Sequence, residues 1–114
     1  MAVAIEYTVA FEQTADLAIG HFAEYTSERQ AIEKIESVLD RFEETVSVDP
    51  YIYVRSPSLL ALGITDVREA NIDGMRLLYD VDERDDTIVV TGLILLSQKQ
   101  NVEAKLVNYC LIYK

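Results

Sequence analysis

Residues 74–100 read GMRLLYDVDERDDTIVVTGLILLSQKQ. The first part alternates. Met75, Leu77, Tyr79 and Val81 fall on one side, and Arg76, Leu78, Asp80 and Asp82 on the other, which is the period of a half-buried strand. ERDD is a polar turn. TIVVTGLILLS is a near-continuous apolar run and suits a central strand buried on both faces. A hairpin folded about ERDD brings its two far ends together. One end carries a lone arginine, Arg76, inside an apolar strand; the other carries a lone lysine, Lys99, just past the next strand. Side by side they make a candidate anion or polar binding site. Alternatively each pairs with a neighbouring acid such as Glu69, Asp73 or Glu103, and the sequence leaves both arrangements open.

Upstream of this hairpin, VAIEYTVAF over residues 3–11 reads as a first strand, with Val3, Ile5, Tyr7 and Val9 on one face. Thr14 offers a helix N-cap, and Asp16 stands in the first turn, where the helix dipole favours an acid. Leu17, Ala18, His21, Phe22 and Tyr25 follow at helical spacing. Ser27 with Gln30 three residues later fits a capping box. Beyond it Ala31, Ile32, Ile35, Val38, Leu39, Phe42 and Val46 form an apolar stripe, opposite a face rich in Glu and Asp. Two helices joined by a tight turn are predicted. Residues 47–63 hold both prolines and a glycine and read as a loop with short extended pieces. DVREANI is the next strand, and residues 101–114 are ambiguous between helix and strand. The order is strand, helix, helix, then a strand meander. It predicts a single α+β domain over residues 1–114, with a helical hairpin packed on one face of an antiparallel sheet of about four strands.

Charge limits the function. Twenty acidic residues stand against ten Lys and Arg, a formal net charge of −10. Nucleic-acid binding draws on a basic face that neutralises phosphates, so direct binding to nucleic acid is not expected, and basic protein surfaces are favoured partners. The one histidine and one cysteine lie in no ligand-spacing motif, so neither a metal nor another cofactor is expected. His21, on the apolar side of its helix, reads as a packed or boundary residue rather than part of a triad. Cys110, in LVNYCLIYK, reads as a small buried hydrophobe rather than a nucleophile. The glycines at 20, 63, 74 and 92 make no phosphate loop. No apolar run approaches the roughly 20 residues that span a bilayer, and the N-terminus has no signal-peptide pattern. A reduced, cytoplasmic setting is expected.

The order of these pieces resembles a family. YTVAFEQTADLAI, a two-helix stretch, then Gly74, Arg76, two aliphatics, Tyr79 and an acidic turn are similar to the ParE/RelE toxin superfamily. GMRLLYDVDERDDTIVVTGLILLSQKQNVEAKLVNY follows the family's flow nearly throughout, and the likeness covers roughly residues 5–112. It rests on order and spacing rather than on a sharp motif. The resemblance implies the toxin of a two-gene toxin–antitoxin module, neutralised by a cognate antitoxin. RelE-like members cut messenger RNA in the ribosomal A site; ParE-like members poison DNA gyrase. It points to Arg68, Arg76, Tyr79, Gln98 and Lys99 as binding residues. Under the nuclease alternative Arg76 and Lys99 take the catalytic positions. Two lysines expected before Arg76 are missing, since DVREANID offers only Arg68, and the late tyrosine position falls close to Lys105. The ParE-like branch, acting by protein binding, is therefore the expectation; an antitoxin-binding relative without toxicity is a further alternative.

Overall fold

The computed structural model describes residues 2–97. The elements are β1 (Ala2–Tyr7), α1 (Val9–Ala23), α2 (Glu28–Val48), the single turn α3 (Pro57–Leu60), β2 (Val67–Ile72), β3 (Met75–Arg84) and β4 (Thr87–Ser97). The four strands form one sheet in the order β1-β4-β3-β2. The meander β2–β3–β4 is antiparallel, as expected, but β1 pairs with β4 in parallel, Ala2 against Thr87 through Tyr7 against Gly92. The sheet is therefore mixed rather than wholly antiparallel. An edge strand joined to the rest of the sheet through a helical crossover is free to run parallel to its neighbour, whereas a hairpin strand is not.

Both hairpin turns rest on residues with positive φ. Asp73 and Gly74 (φ 50° and 78°) join β2 to β3, and Asp85 (φ 53°) opens the turn between Arg84 and Thr87. Asp and Gly tolerate this left-handed backbone, and Asp-Gly is a favoured two-residue hairpin turn.

The first helix starts earlier than predicted. Thr8, not Thr14, is its N-cap: Thr8 Oγ1 accepts from the Phe11 amide at 2.9 Å. Val9 accordingly lies in the helix and is exposed rather than on the inner face of β1. Thr14 is buried inside α1, its hydroxyl within donating distance of the Ala10 and Phe11 carbonyls. The second cap is as predicted, with Ser27 Oγ accepting from the Gln30 amide at 3.1 Å. α2 buries Ala31, Ile35, Val38, Phe42 and Val46, the spacing of one helix face.

That stripe packs with Phe11 and Ala15 of α1 onto Ala70, Ile72, Met75, Leu77, Tyr79, Val90 and Leu95. The helical hairpin thus covers one face of the sheet. A smaller cluster on the other face joins Leu78, Ile94, Leu96 and Val67 with Leu59 of α3 and Ala10. In β4 the inward residues switch from even numbers (Val90) to odd (Leu95). The cause is a bulge: Leu78 pairs with Ile94 and Tyr79 with Gly92, leaving Leu93 as the extra residue.

Candidate functional site

Arg76 lies on the sheet face away from the helices, opposite Asn71 of β2. Its guanidinium grips the Glu69 carboxylate with two bonds, Nε to Oε2 at 3.2 Å and Nη2 to Oε1 at 3.0 Å. Both side chains are largely withdrawn from water, 13% and 7% exposed. Glu69 also accepts from Ser56 Oγ at 3.0 Å and from Asn71 Nδ2 at 3.2 Å. Burial alone would raise the carboxyl pKa; the bonds and charge of Arg76, then Ser56 and Asn71, outweigh it and hold the group below its ordinary value. Arg76 thus pairs with Glu69, one of the acids the sequence offers it. The network also fastens the loop before α3, since Arg76 Nη2 reaches Ser58 Oγ and the Ser56 amide bonds to the Val67 carbonyl.

Arg68 and Tyr79 form a register pair on the opposite, helix-covered face. Arg68 Nη1 donates to the carbonyls of Tyr53 (2.7 Å) and Tyr51 (3.2 Å), and its guanidinium lies over the Tyr51 ring. Tyr79 is fully buried, edge-on to Phe42 and Tyr53, with its hydroxyl donating to the Pro50 carbonyl. Burial pushes its phenol up to about 12, so it stays protonated across the physiological range. These two residues hold the segment after α2 against the sheet. The structure therefore separates Arg68 and Tyr79 from Arg76 by the thickness of the sheet. Met75 pairs with Ser97, so Arg76 does lie at the end where the chain leaves β4. Gln98, Lys99, Glu103, Lys105 and Cys110 lie outside the described residues, as do residues 101–114 with their choice between helix and strand.

The sheet face that carries Arg76 is acidic. Residues alternate along the strands, so Glu6, Asp80 and Asp82 share this face, with Glu6 and Asp80 both paired to Thr91 of β4. Burial, then the like charges of Asp66 and Asp82, raise the Asp80 carboxyl pKa. Among the described residues no group of three or more His, Cys, Asp or Glu could hold a metal ion.

A second feature escaped the sequence. A groove of about 330 Å³ opens between α1 and the end of the sheet, lined by Thr14, Leu17, Ala18, His21 and Phe22 on one side and Met75, Leu95, Leu96 and Ser97 on the other. It follows from the short β1. The strand ends at Tyr7 opposite Gly92, so among the described residues no strand flanks β4 beyond Leu93 on that side. The N-cap threonine of α1 and one threonine within it serve that edge instead: Thr8 Oγ1 donates to the Leu93 carbonyl (2.8 Å), and Thr14 Oγ1 accepts from the Leu95 amide (3.0 Å). His21, expected to be packed or at a boundary, is exposed at the rim, in ring contact with Phe22 and Tyr25. Only the spacing of Leu17, His21 and Phe22 hinted at this place. Before β2, Leu59 of α3 caps the smaller core while Leu60 at the end of α3 and Leu62 just past it stay partly exposed.

Among the described residues no helix is long and apolar enough to cross a membrane. No protein-family model matches the chain, and no curated protein matches it. Among solved structures it is similar to a chain of the chromosomal ParDE TA system from P. aeruginosa. The TM-score is 0.67 at 11% identity, over 84% of this chain and 96% of that one. At that identity the likeness speaks for the backbone alone, over nearly the whole of the neighbour. The chain thus shares its fold with a chain of that ParDE system, in keeping with the fold its sequence resembles.

Proposed function

We propose that this chain is the toxin of a type II toxin–antitoxin module, of the ParE-like branch. It acts by binding a protein, DNA gyrase, and is neutralised by a cognate antitoxin. The fold supports the module. The choice of branch rests on one observation: Arg76, the cation that a RelE-like nuclease would turn on a scissile phosphate, is engaged by Glu69, Ser58 and the strand around them. Phosphodiester cleavage without a metal relies on cations aimed at the charge that develops in the transition state. An arginine already bidentate to a buried carboxylate, on a face that also carries Glu6, Asp80 and Asp82, is poorly placed for that role. An acidic surface suits docking on a basic protein surface.

The test is a supercoiling assay with purified protein and gyrase. Supercoiling is expected to fall as the protein reaches excess, with cleaved DNA complex accumulating. Undiminished supercoiling, together with cleavage of ribosome-bound messenger RNA that disappears in a folded Arg76→Ala variant, would install the nuclease reading instead. Expression alone in a bacterial host is expected to arrest growth, and normal growth would identify a relative without toxicity. The antitoxin's binding segment is expected to be basic, to suit a chain of net charge −10. The partly exposed Leu60 at the end of α3 and Leu62 just past it are candidate contacts for it. Association should weaken at least tenfold between about 50 and 500 mM salt if charge contributes as proposed.

A further inference from the structure

We propose that the outer edge of the sheet at Val54–Ser56 docks a short extended segment of a protein partner, one in which apolar and basic residues alternate. The loop between α2 and α3 closes against β2 by one rung. The Ser56 amide donates to the Val67 carbonyl (2.9 Å), and the Glu69 amide donates to the Val54 carbonyl (3.0 Å). Arg55 sits between them, opposite Arg68 in a single antiparallel bridge. In that pattern the bonds belong to the residues on either side, so the N–H and C=O of Arg55 point away from β2. Neither bonds to another backbone group among the described residues. The edge thus offers one donor and one acceptor at strand spacing, which a further strand would complete.

The side chains beside this rung suit such a guest. Ile52 is 55% exposed, Val54 68%, and Val48 at the end of α2 87%. The loop that carries them is tied down. Asp49 Oδ1 accepts from the Tyr51 amide, the Pro50 carbonyl accepts from the Tyr79 hydroxyl, and the Tyr51 and Tyr53 carbonyls accept from Arg68. A loop fixed through its backbone while it holds β-branched side chains in water is arranged for a contact outside the domain. Charge gives the sign of the guest. Asp49 and Glu83 both bond to Tyr51, which places two exposed carboxylates beside Ile52. Asp66, next to Val67, is exposed as well, and Arg55 stands against these acids. A basic segment is therefore drawn in, whereas a second copy would bring net charge −10 against −10.

Hydrogen exchange on the full chain tests the edge, with a short capped peptide of alternating lysine and valine as the probe. In the isolated chain the Arg55 amide is expected to exchange close to the rate of an unstructured amide, and the Ser56 and Glu69 amides more slowly. Millimolar peptide should slow Arg55 by about tenfold or more. Val54→Lys changes an exposed position and should cut that protection several-fold. Protection of Arg55 before any peptide is added overturns the proposal. If it is independent of concentration, the chain itself covers the edge; if it grows with concentration, a second copy does. The proposal also fails if the peptide leaves Arg55 unprotected or if Val54→Lys changes nothing. It fails equally if a glutamate–valine peptide, or a lysine–valine peptide N-methylated at every residue, protects Arg55 as well. The supercoiling assay reports on the target and this exchange on the edge, so either can fail alone.

Discussion

Arg76 and Glu69 depend on each other because neither is well hydrated. Removing the arginine leaves a carboxylate in a site too dry to hold it alone, and breaking such a pair costs far more than its net contribution to stability. Arg76→Ala is expected to lower unfolding stability by about 3 kcal/mol in urea titrations near neutral pH. Adding Glu69→Gln to that variant should recover most of the loss, because the uncompensated charge goes while Ser56 and Asn71 keep an acceptor. The same carboxylate gives the native protein an acid limit. Its pKa is lower folded than unfolded, so its contribution is fully present above the ordinary value of 4.5. It fades as the pH falls through the folded value, since the unfolded chain takes up the proton first. Stability measured from pH 6 downward should therefore decline below about pH 4.5, and the decline should be shallower in Glu69→Gln. The sequence named Glu69 as one of three acids within reach of Arg76. It could not choose, because the decision depends on cross-strand register, and register was set by the Asp73–Gly74 turn, a signal that the chain does contain.

At the level of elements, β4 shows what hydrophobic pattern reveals and what it conceals. Its unbroken apolar run marked it correctly as the buried centre of the sheet, and the alternation in β3 assigned Met75, Leu77 and Tyr79 to the helix side. An apolar run without alternation carries no parity, however, so the extra residue at Leu93 was invisible. The glycine beside it is there for space. A Cβ at Gly92 would stand 2.6 Å from Tyr7 Cδ1 and 3.2 Å from Phe11 Cδ2. Tyr7 cannot readily yield, because its hydroxyl donates to Glu43 on α2 and its ring lies against Phe11. Gly92→Ala is expected to cost about 1–3 kcal/mol, read as a lowered denaturation midpoint with an unchanged slope. The misplaced start of α1 has a comparable origin. Both Thr8 and Thr14 are competent caps, and the choice fell to Thr8 because its hydroxyl also meets the Leu93 carbonyl, a contact 85 residues away in sequence. Local spacing contains no trace of it.

Over the whole molecule, charge is the property that composition reported in full. A net charge of −10 on a chain of this size works against compaction. Only four salt bridges join the described residues, and two of these, Arg29–Glu33 and Arg84–Asp82, are largely solvent-exposed. Screening should therefore help: the thermal midpoint is expected to rise by several degrees between about 10 and 300 mM sodium chloride, followed by circular dichroism. A flat response would mean that the excess acids are spaced too widely to repel. The fold class was legible because one face of each element is apolar and the elements come in a telling order. The candidate site was less so. Arg68, Arg76 and Tyr79 were identifiable as unusual residues, but which face of the sheet each would join depends on pairing between distant segments.

The parallel partnership of β1 bears on how the protein comes into being. A ribosome delivers Ala2 first and its neighbour Thr87 only after the helices and β2–β3 have emerged. Until then the opening strand has nothing to zip against, and β3 lacks its inner flank as well. Both wait for the same late arrival, which completes the sheet from the middle outward. Closing so long a span is slow, so the nascent chain spends that interval with apolar Val3 and Ile5 unprotected. Birth of this protein, more than its mature state, is the stage at which a chaperone or an early-arriving partner has most to offer.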